Sequence, residues 1–360
     1  MQKNLVIQAL RGIAALAVVV FHCSALLGPT SLETRGAVFG PLAFGGVDLF
    51  FLISGYIIAS SVSRMKPGVS SASSFLLKRL IRVWPPYAIA TAIFCVAFSL
   101  TNPSAPSFAD ITRSLLFIQL DGTAPYYGYA ALIVGWTLNY EMLFYGVVTL
   151  GLLTRYRWLV IFLIFPFILV GVPVWQNPEL TFIQLLDAER TIGNEWVITN
   201  PLNWLFLLGV VIYFIEKRKL TVNNVWGFVL SASLASAFLG VCYFLPVMNK
   251  HGLTGMGLAV LPIFAVFVLS KDVIERHVSR ALVYMGDISF SLYLTHVITL
   301  SVTNAALSRF TDKGILLMFL AVCASIVGGA VYYAFVERPI TRWLSSRSVG
   351  ISNTNMAIVK

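Results

Sequence analysis

Charge is what this chain lacks. Of its 360 residues only 11% are charged and 58% are hydrophobic, with a mean hydropathy of +0.84. Soluble domains carry about 25% charged residues to clothe their surface, so a soluble enzyme and a disordered segment are both excluded. Cysteine is scarce as well. The four present, Cys23, Cys95, Cys242 and Cys323, all fall inside apolar runs, which leaves no disulfide framework in an outer loop and no metal-ligand spacing. Heptads and internal repeats are missing. What remains is an all-α integral membrane protein.

Ten apolar runs approach the ~20 residues needed to cross a bilayer: roughly 9–27, 40–60, 81–100, 131–153, 157–175, 201–215, 226–247, 253–270, 281–303 and 314–336. They are continuously apolar, so helices are expected and a barrel is not. The stretch 111–120 is too short to cross and reads as an interfacial helix or loop. With the N-terminus inside, nineteen of the 25 Lys and Arg residues lie at or beyond the inner ends of these runs, and Arg35, Arg113, Arg190, Lys250, Arg309 and Lys313 lie outside. This asymmetry predicts about ten transmembrane helices with both termini cytoplasmic. The net charge of +10 is then largely topology, and nucleic acid is not expected as a partner. Residues 341–360 read as a cytoplasmic tail. The first run carries Arg11 and His22 and is followed at once by further runs, so it is read as a span and not as a cleaved signal.

Ionisable groups inside a bilayer are costly and usually functional. Here they are His22, Asp48, Glu141, Asp287 and His296, with Arg11 at the inner edge of the first span. His22, Asp48, Glu141 and His296 come from four helices and are expected in one slab, from mid-membrane outward. Two imidazoles and two carboxylates at similar depth can supply a general base and its orienter. The plainer alternative is a set of buried hydrogen bonds that tie helices together. Arg11 and His22 lie on nearly one helix face, about 16 Å apart along the axis. A ligand with an anionic head and a long neutral arm ending in a reactive group would fit that spacing, and coenzyme A has that shape. The inner segment SFLLKRLIRVWPPY adds Lys78, Arg79 and Arg82. Arg79 and Arg82 share a helix face, and guanidinium forks suit phosphate. Glu141 and Tyr145 face one side at i, i+4. A transporter or flippase also uses buried ionisable residues and Gly-rich spans, but it predicts inverted repeats, which the sequence does not show.

Six segments in order resemble the integral-membrane acyltransferase 3 family, the bacterial O-acyltransferases of surface polysaccharides and related acceptors. Arg11 and His22 match its Arg-x10-His motif. GGVDLFFLISGY (Gly45–Tyr56) matches its second-span signature, and KRLIRVWPPY carries its R-x-x-R feature as Arg79 and Arg82. NYEMLFY supplies the membrane glutamate, Glu141. ISFSLYLTH resembles the Ser-x-x-Leu-Tyr-x-x-His element, giving Ser291, Tyr293 and His296. FVERPITR matches the closing E-x-P element at Glu337 and Pro339. NPLNWLFLLG departs from the family, with Asn203 and Trp204 where members often show an acidic residue, and no site is assigned there.

The resemblance implies an enzyme of the bacterial inner membrane that takes an acyl group, acetyl in the simplest case, from cytoplasmic acyl-CoA. The acceptor would be a hydroxyl of a lipid-linked or exported carbohydrate, with a macrolide or other small metabolite as the alternative. His22 would be catalytic, with Asp48 or Glu141 orienting it. Arg11, Arg79 and Arg82 would bind the donor, and His296, Tyr145 and Tyr293 would help position the acceptor. No metal or resident cofactor is expected. Residues 1–340 would form the transmembrane acyltransferase domain, without the C-terminal SGNH-type domain that some members carry.

Overall fold

Residues 4–28, 32–99, 106–307 and 314–347 are described by a computed structural model. Among them the chain is helical, and its only strand-like pairing is an isolated bridge between Asp187 and Gly252. Eleven helices concern the site: α1 Leu5–Cys23, α2 Leu32–Val62, α3 Val69–Ser99, α4 Phe108–Leu115, α5 Trp136–Leu152, α6 Arg157–Gln176, α7 Asn203–Lys217, α8 Val225–Phe244, α9 Met256–Leu269, α10 Arg280–Leu307 and α11 Ile315–Arg347. Of the tail expected over 341–360, residues 341–347 continue α11, and 348–360 lie outside the described residues. The expected outer charges Arg309 and Lys313 also lie outside them.

Seven helices, α1, α2, α3, α6, α8, α10 and α11, are long and apolar enough to cross a membrane. The other apolar runs become α5, α7 and α9, of 17, 15 and 14 residues. At 1.5 Å per residue these reach only about 26, 23 and 21 Å, short of the ~30 Å hydrocarbon core. Irregular segments precede them, and backbone groups there need partners from within the protein. Side chains supply many. Tyr127 Oη donates toward the Asn194 and Trp196 carbonyls, both at 3.0 Å, and Asn194 Nδ2 donates to Ala188 O and Arg190 O at 3.0 and 2.9 Å. Asn203 Nδ2 donates to Val197 O and Asn200 O at 2.8 and 3.0 Å. Asn203 is thus a buried clasp for the segment that enters α7. The 111–120 stretch becomes the short helix α4, started by a capping box of Ser107 and Asp110.

Two helices contain a single π-turn, at Phe167–Gly171 and Tyr333–Glu337. Each ends two residues before a proline, Pro173 or Pro339. A proline ring clashes with the carbonyl four residues back and offers no N–H to it. Widening the preceding turn accommodates both defects.

Lipid is as apolar as leucine, so close backbone approach must drive much of the packing. The most extensive contact is between α1 and α10. A Cβ placed on Gly286 would lie 2.0 Å from Gln8 O, and one on Gly12 would lie 2.8 Å from Met285 Cβ. Ten residues further along each chain, the rings of His22 and His296 lie 5.0 Å apart. The two helices therefore run parallel and in step. α2 runs antiparallel to α1, with Gly46 against Ala14 O, and contacts α7 through Gly55 and Gly209. Arg157 is buried and donates to the Val62 carbonyl at the end of α2, where a cation opposes the helix dipole.

Gly286→Ala should force α1 from α10 and cost ~1–3 kcal/mol. Gly240→Ala, where nothing lies within 4 Å of the added carbon, should change stability by less than ~1 kcal/mol. Thermal unfolding of both detergent-solubilised variants, followed by circular dichroism, measures the difference.

Candidate active site

Two joined cavities lie among α1, α2, α3, α5, α10 and α11. The wider one encloses about 1710 Å³, part of it open to solvent, and the narrower about 830 Å³. Arg11, Arg79 and Arg82 line both, so the arginines stand where one opens into the other. The wide mouth adds Lys78, Arg338 and Arg342, against Asp287 and Glu337. Six cations facing two carboxylates make an anion-attracting funnel. Its walls are cheap to build. Arg79 and Arg82 sit one turn apart on α3, and Arg338 and Arg342 one turn apart on α11. Arg79 also lies over the Phe75 and Tyr145 rings, 5.5 and 5.8 Å from their centroids.

The narrow cavity is mostly apolar. Phe50, Phe51, Ile53 and Ile57 of α2, Val83 of α3 and Leu138 of α5 form its sides. Glu141 and Tyr145 line it beside the arginines. Tyr145 donates its hydroxyl to Glu141, and Ser54 Oγ donates to Glu141 Oε1 at 3.1 Å. Tyr293 and Thr137 line it too. Tyr293 Oη donates to Val134 O at 3.0 Å and lies 3.1 Å from Thr137 Oγ1, so its hydroxyl is already committed to the start of α5. The Tyr293 ring meets Phe50 at 5.9 Å on one hand and His296 at 6.0 Å on the other. Beyond it stands the pair of His296 and His22.

The nine residues singled out from sequence therefore separate into three groups. Arg11, Arg79, Arg82, Glu141, Tyr145 and Tyr293 share one cavity. His22 and His296 form a pair behind Tyr293. Asp48 is apart from both. It is wholly buried, accepts from His251 Nδ1 at 2.9 Å and from Gly252 N at 2.8 Å, and so pins the segment before α9 onto α2.

This corrects the expectation that Asp48 or Glu141 orients His22. Among the described residues no carboxylate forms a hydrogen bond or ion pair with His22. Asp48 points from α2 toward α9, and Glu141 is turned by Ser54 and Tyr145 toward the arginines. The single slab of four ionisable groups is likewise replaced by a histidine pair and two separately satisfied carboxylates. Sequence reasoning missed His251, whose only signal was an isolated histidine in an outer segment. It counted Arg338 and Arg342 merely as inner charges, although their i, i+4 spacing marks one helix face.

The molecule is thus a multi-pass helical membrane protein with an arginine-lined internal cavity. Residues 4–334 match the acyltransferase-domain model of the acyltransferase 3 family, and the chain belongs to that family; it is an acyltransferase. It is 29% identical over 313 residues to the exopolysaccharide production protein ExoZ of Rhizobium meliloti (strain 1021), covering 84% of this chain and 91% of that protein. It is 24% identical over an alignment of 375 positions to a Komagataeibacter xylinus protein provisionally named the membrane-bound transacylase BcsY, covering 98% of this chain and 87% of that protein. A Staphylococcus aureus (strain COL) protein provisionally named an O-acetyltransferase is 24% identical over an alignment of 365 positions, which covers 93% of this chain and 57% of that longer protein. No solved structure matches the chain.

Asp48→Ala should strand two buried donors, His251 Nδ1–H and Gly252 N–H. At ~1–3 kcal/mol for each unpaired group, the variant should lose more than ~2 kcal/mol. Asp48→Asn, which keeps one acceptor oxygen, should lose about half as much. Thermal unfolding in detergent reads both.

Proposed function

We propose that the protein transfers an acyl group, acetyl in the simplest case, from cytoplasmic acyl-CoA to a hydroxyl of a lipid-linked or exported carbohydrate. One observation carries this reading: a strongly cationic mouth narrows through three arginines into an apolar cavity that ends near the buried His296 and the half-buried His22. That sequence of surfaces mirrors the donor, which has phosphates, then a long neutral arm, then a thioester. Arg11, Arg79 and Arg82 would hold the phosphates, with Lys78, Arg338 and Arg342 raising the local anion concentration. Glu141 would keep the arginines compensated when the cavity is empty.

The carbohydrate acceptor is supported by ExoZ, whose name concerns exopolysaccharide production, and the O-acyl chemistry by the relatives named as O-acetyltransferases. The charge asymmetry of the inner and outer segments favours ten spans with both termini cytoplasmic. In that topology α5, α7 and α9 complete their crossings through the packed irregular segments before them. The mouth then faces the cytoplasm of the bacterial inner membrane. His22, which is not fully buried, would meet the acceptor from the other side as general base. Its role is to take the hydroxyl proton as the oxygen attacks the thioester carbonyl.

In nanodisc-embedded protein, the double variant Arg79→Ala, Arg82→Ala should bind acetyl-CoA at least ~10-fold more weakly, two lost charge-assisted contacts being worth ~1.5–3 kcal/mol each at most. Its remaining affinity should also depend less on salt than that of the unmodified protein. Unchanged affinity by calorimetry would remove the phosphate role. His22→Ala should abolish acyl transfer while holding acetyl-CoA affinity within about two-fold, as expected of a group used only in the reaction step. Full transfer by this variant would remove His22 from catalysis.

A further inference from the structure

The histidine pair carries an inference of its own, which rests on the reading of His22 as the base. His296 is fully buried. Its Nδ1 lies 3.2 Å from the carbonyl oxygen of Leu292, one turn earlier on α10. A carbonyl oxygen only accepts, so Nδ1 carries the hydrogen and Nε2 carries a lone pair. That Nε2 has no partner among the described residues. An unmet polar atom in such a place costs ~1–3 kcal/mol and calls for a donor.

The hydroxyls beside it on α10 are already committed. Tyr293 Oη donates to Val134 O at 3.0 Å, Thr295 Oγ1 to Ser291 O at 2.8 Å, and Thr299 Oγ1 lies 3.0 Å from Ser325 Oγ. The ring that faces His296 without a hydrogen bond of its own among the described residues is His22, 5.0 Å away centroid to centroid and tilted by 52°. Catalytic hydrogen bonds are commonly long in the unliganded enzyme and tighten when substrate binds.

We infer that His296 is a positioning residue for His22: its Nε2 lone pair accepts an N–H of His22 and fixes the His22 tautomer, so that the other His22 nitrogen presents its lone pair to the acceptor hydroxyl. An imidazole here fills the place that a carboxylate fills in a Ser-His-Asp triad. The choice suits the surroundings. A carboxylate beside His22 would keep a permanent charge in the apolar span, at ~2.5–3.5 kcal/mol near its centre, whereas a neutral imidazole charges nothing until the proton moves.

The balance is simple. The hydroxyl proton passes to the free nitrogen of His22 while the oxygen bonds to the acyl carbon. The carbon–sulfur bond then breaks, and the same proton passes from His22 to the departing sulfur. His296 accepts one hydrogen bond throughout and gains no net proton, and the His22–His296 bond strengthens while His22 is cationic.

The test uses the full chain in nanodiscs, ¹⁵N-labelled at its four histidines, with acetyl-CoA as donor. His296 should show a protonated Nδ1 and a bare Nε2, and His22→Ala should move the Nε2 signal while leaving Nδ1–H in place. His296→Leu should lower kcat about 10²-fold, the scale of one positioned proton transfer, with KM for acetyl-CoA within about two-fold. His296→Gln, whose amide oxygen can accept where Nε2 did, should recover at least ~10-fold of that loss. The double variant His22→Ala, His296→Leu should be no slower than His22→Ala alone. A protonated Nε2 in the unmodified protein, or an Nε2 signal indifferent to His22→Ala, would overturn the pairing even where His296→Leu does not fold. Equal losses in the Leu and Gln variants would overturn it as well. Full transfer by His22→Ala would instead sink the base reading and leave the pairing to the spectra.

Discussion

The site depends on how closely α1 can approach α10. Gly12 and Gly286 let the two backbones meet, leaving no room for a Cβ at either place. The contact fixes register, because two parallel helices locked at one point stay in step over the next three turns. Arg11 is thereby held at the arginine cluster, about one turn below Ser289 and two below Tyr293 on the cavity wall, and His22 is delivered to His296. In a bilayer this device is stronger than an apolar seam, since lipid competes with leucine for leucine but has nothing to offer two backbones already in contact.

Compensation of charge is the second constraint, and it explains why each buried ionisable group has the neighbours it has. Glu141 and Glu337 serve the same arginines from two sides, one lining the narrow cavity and one the mouth. Ser54, Tyr145 and Ser291 hold these carboxylates in place, Ser291 Oγ donating to Glu337 Oε2 at 2.5 Å. Asp48 is balanced separately, by a histidine and a backbone N–H. Removing either partner from such an arrangement leaves the other exposed to the full cost of burial, so these groups are not interchangeable even where they lie a few residues apart. Val47 lines the narrow cavity, for example, while Asp48 beside it faces α9.

Much of this was legible in the sequence, and the boundary of legibility has a physical form. The apolar runs marked the helices, and the placement of Arg11 and His22 some three turns apart on one helix could be read as well, because both depend only on local periodicity. Arg79, Arg82, Glu141 and Tyr145 could be grouped for the same reason. What could not be read was anything set by packing between helices. Asp48 looked equivalent to Glu141, two carboxylates at similar depth, until the rotation of α2 turned one toward His251 and left Ser54 to hold the other. The shortness of α5, α7 and α9 was hidden as well. Apolar segments such as GYAALIVG before Trp136 continue the hydropathy of a span, yet are held irregular by side-chain bonds from Ser114, Tyr127 and Asn203 that hydropathy does not register.

In the proposed function the separation of the arginines from the histidines has a chemical use. A thioester in an aqueous funnel is exposed to hydrolysis, and one in a dry cavity is not. Phe50 and Tyr293 line the narrow cavity, the Tyr293 ring also meets His296, and Tyr293 is held there at its hydroxyl by Val134 and Thr137. Its ring is thereby held in place, and on the proposed reading the flexible reach is left to the donor's own arm. On the proposed reading, phosphate binding at the wide end can then be strong without placing Arg11, Arg79 or Arg82 beside the reacting carbonyl. The distance of about 16 Å between Arg11 and His22 is what keeps these two electrostatic environments from interfering, and it is set by nothing more than three turns of one helix.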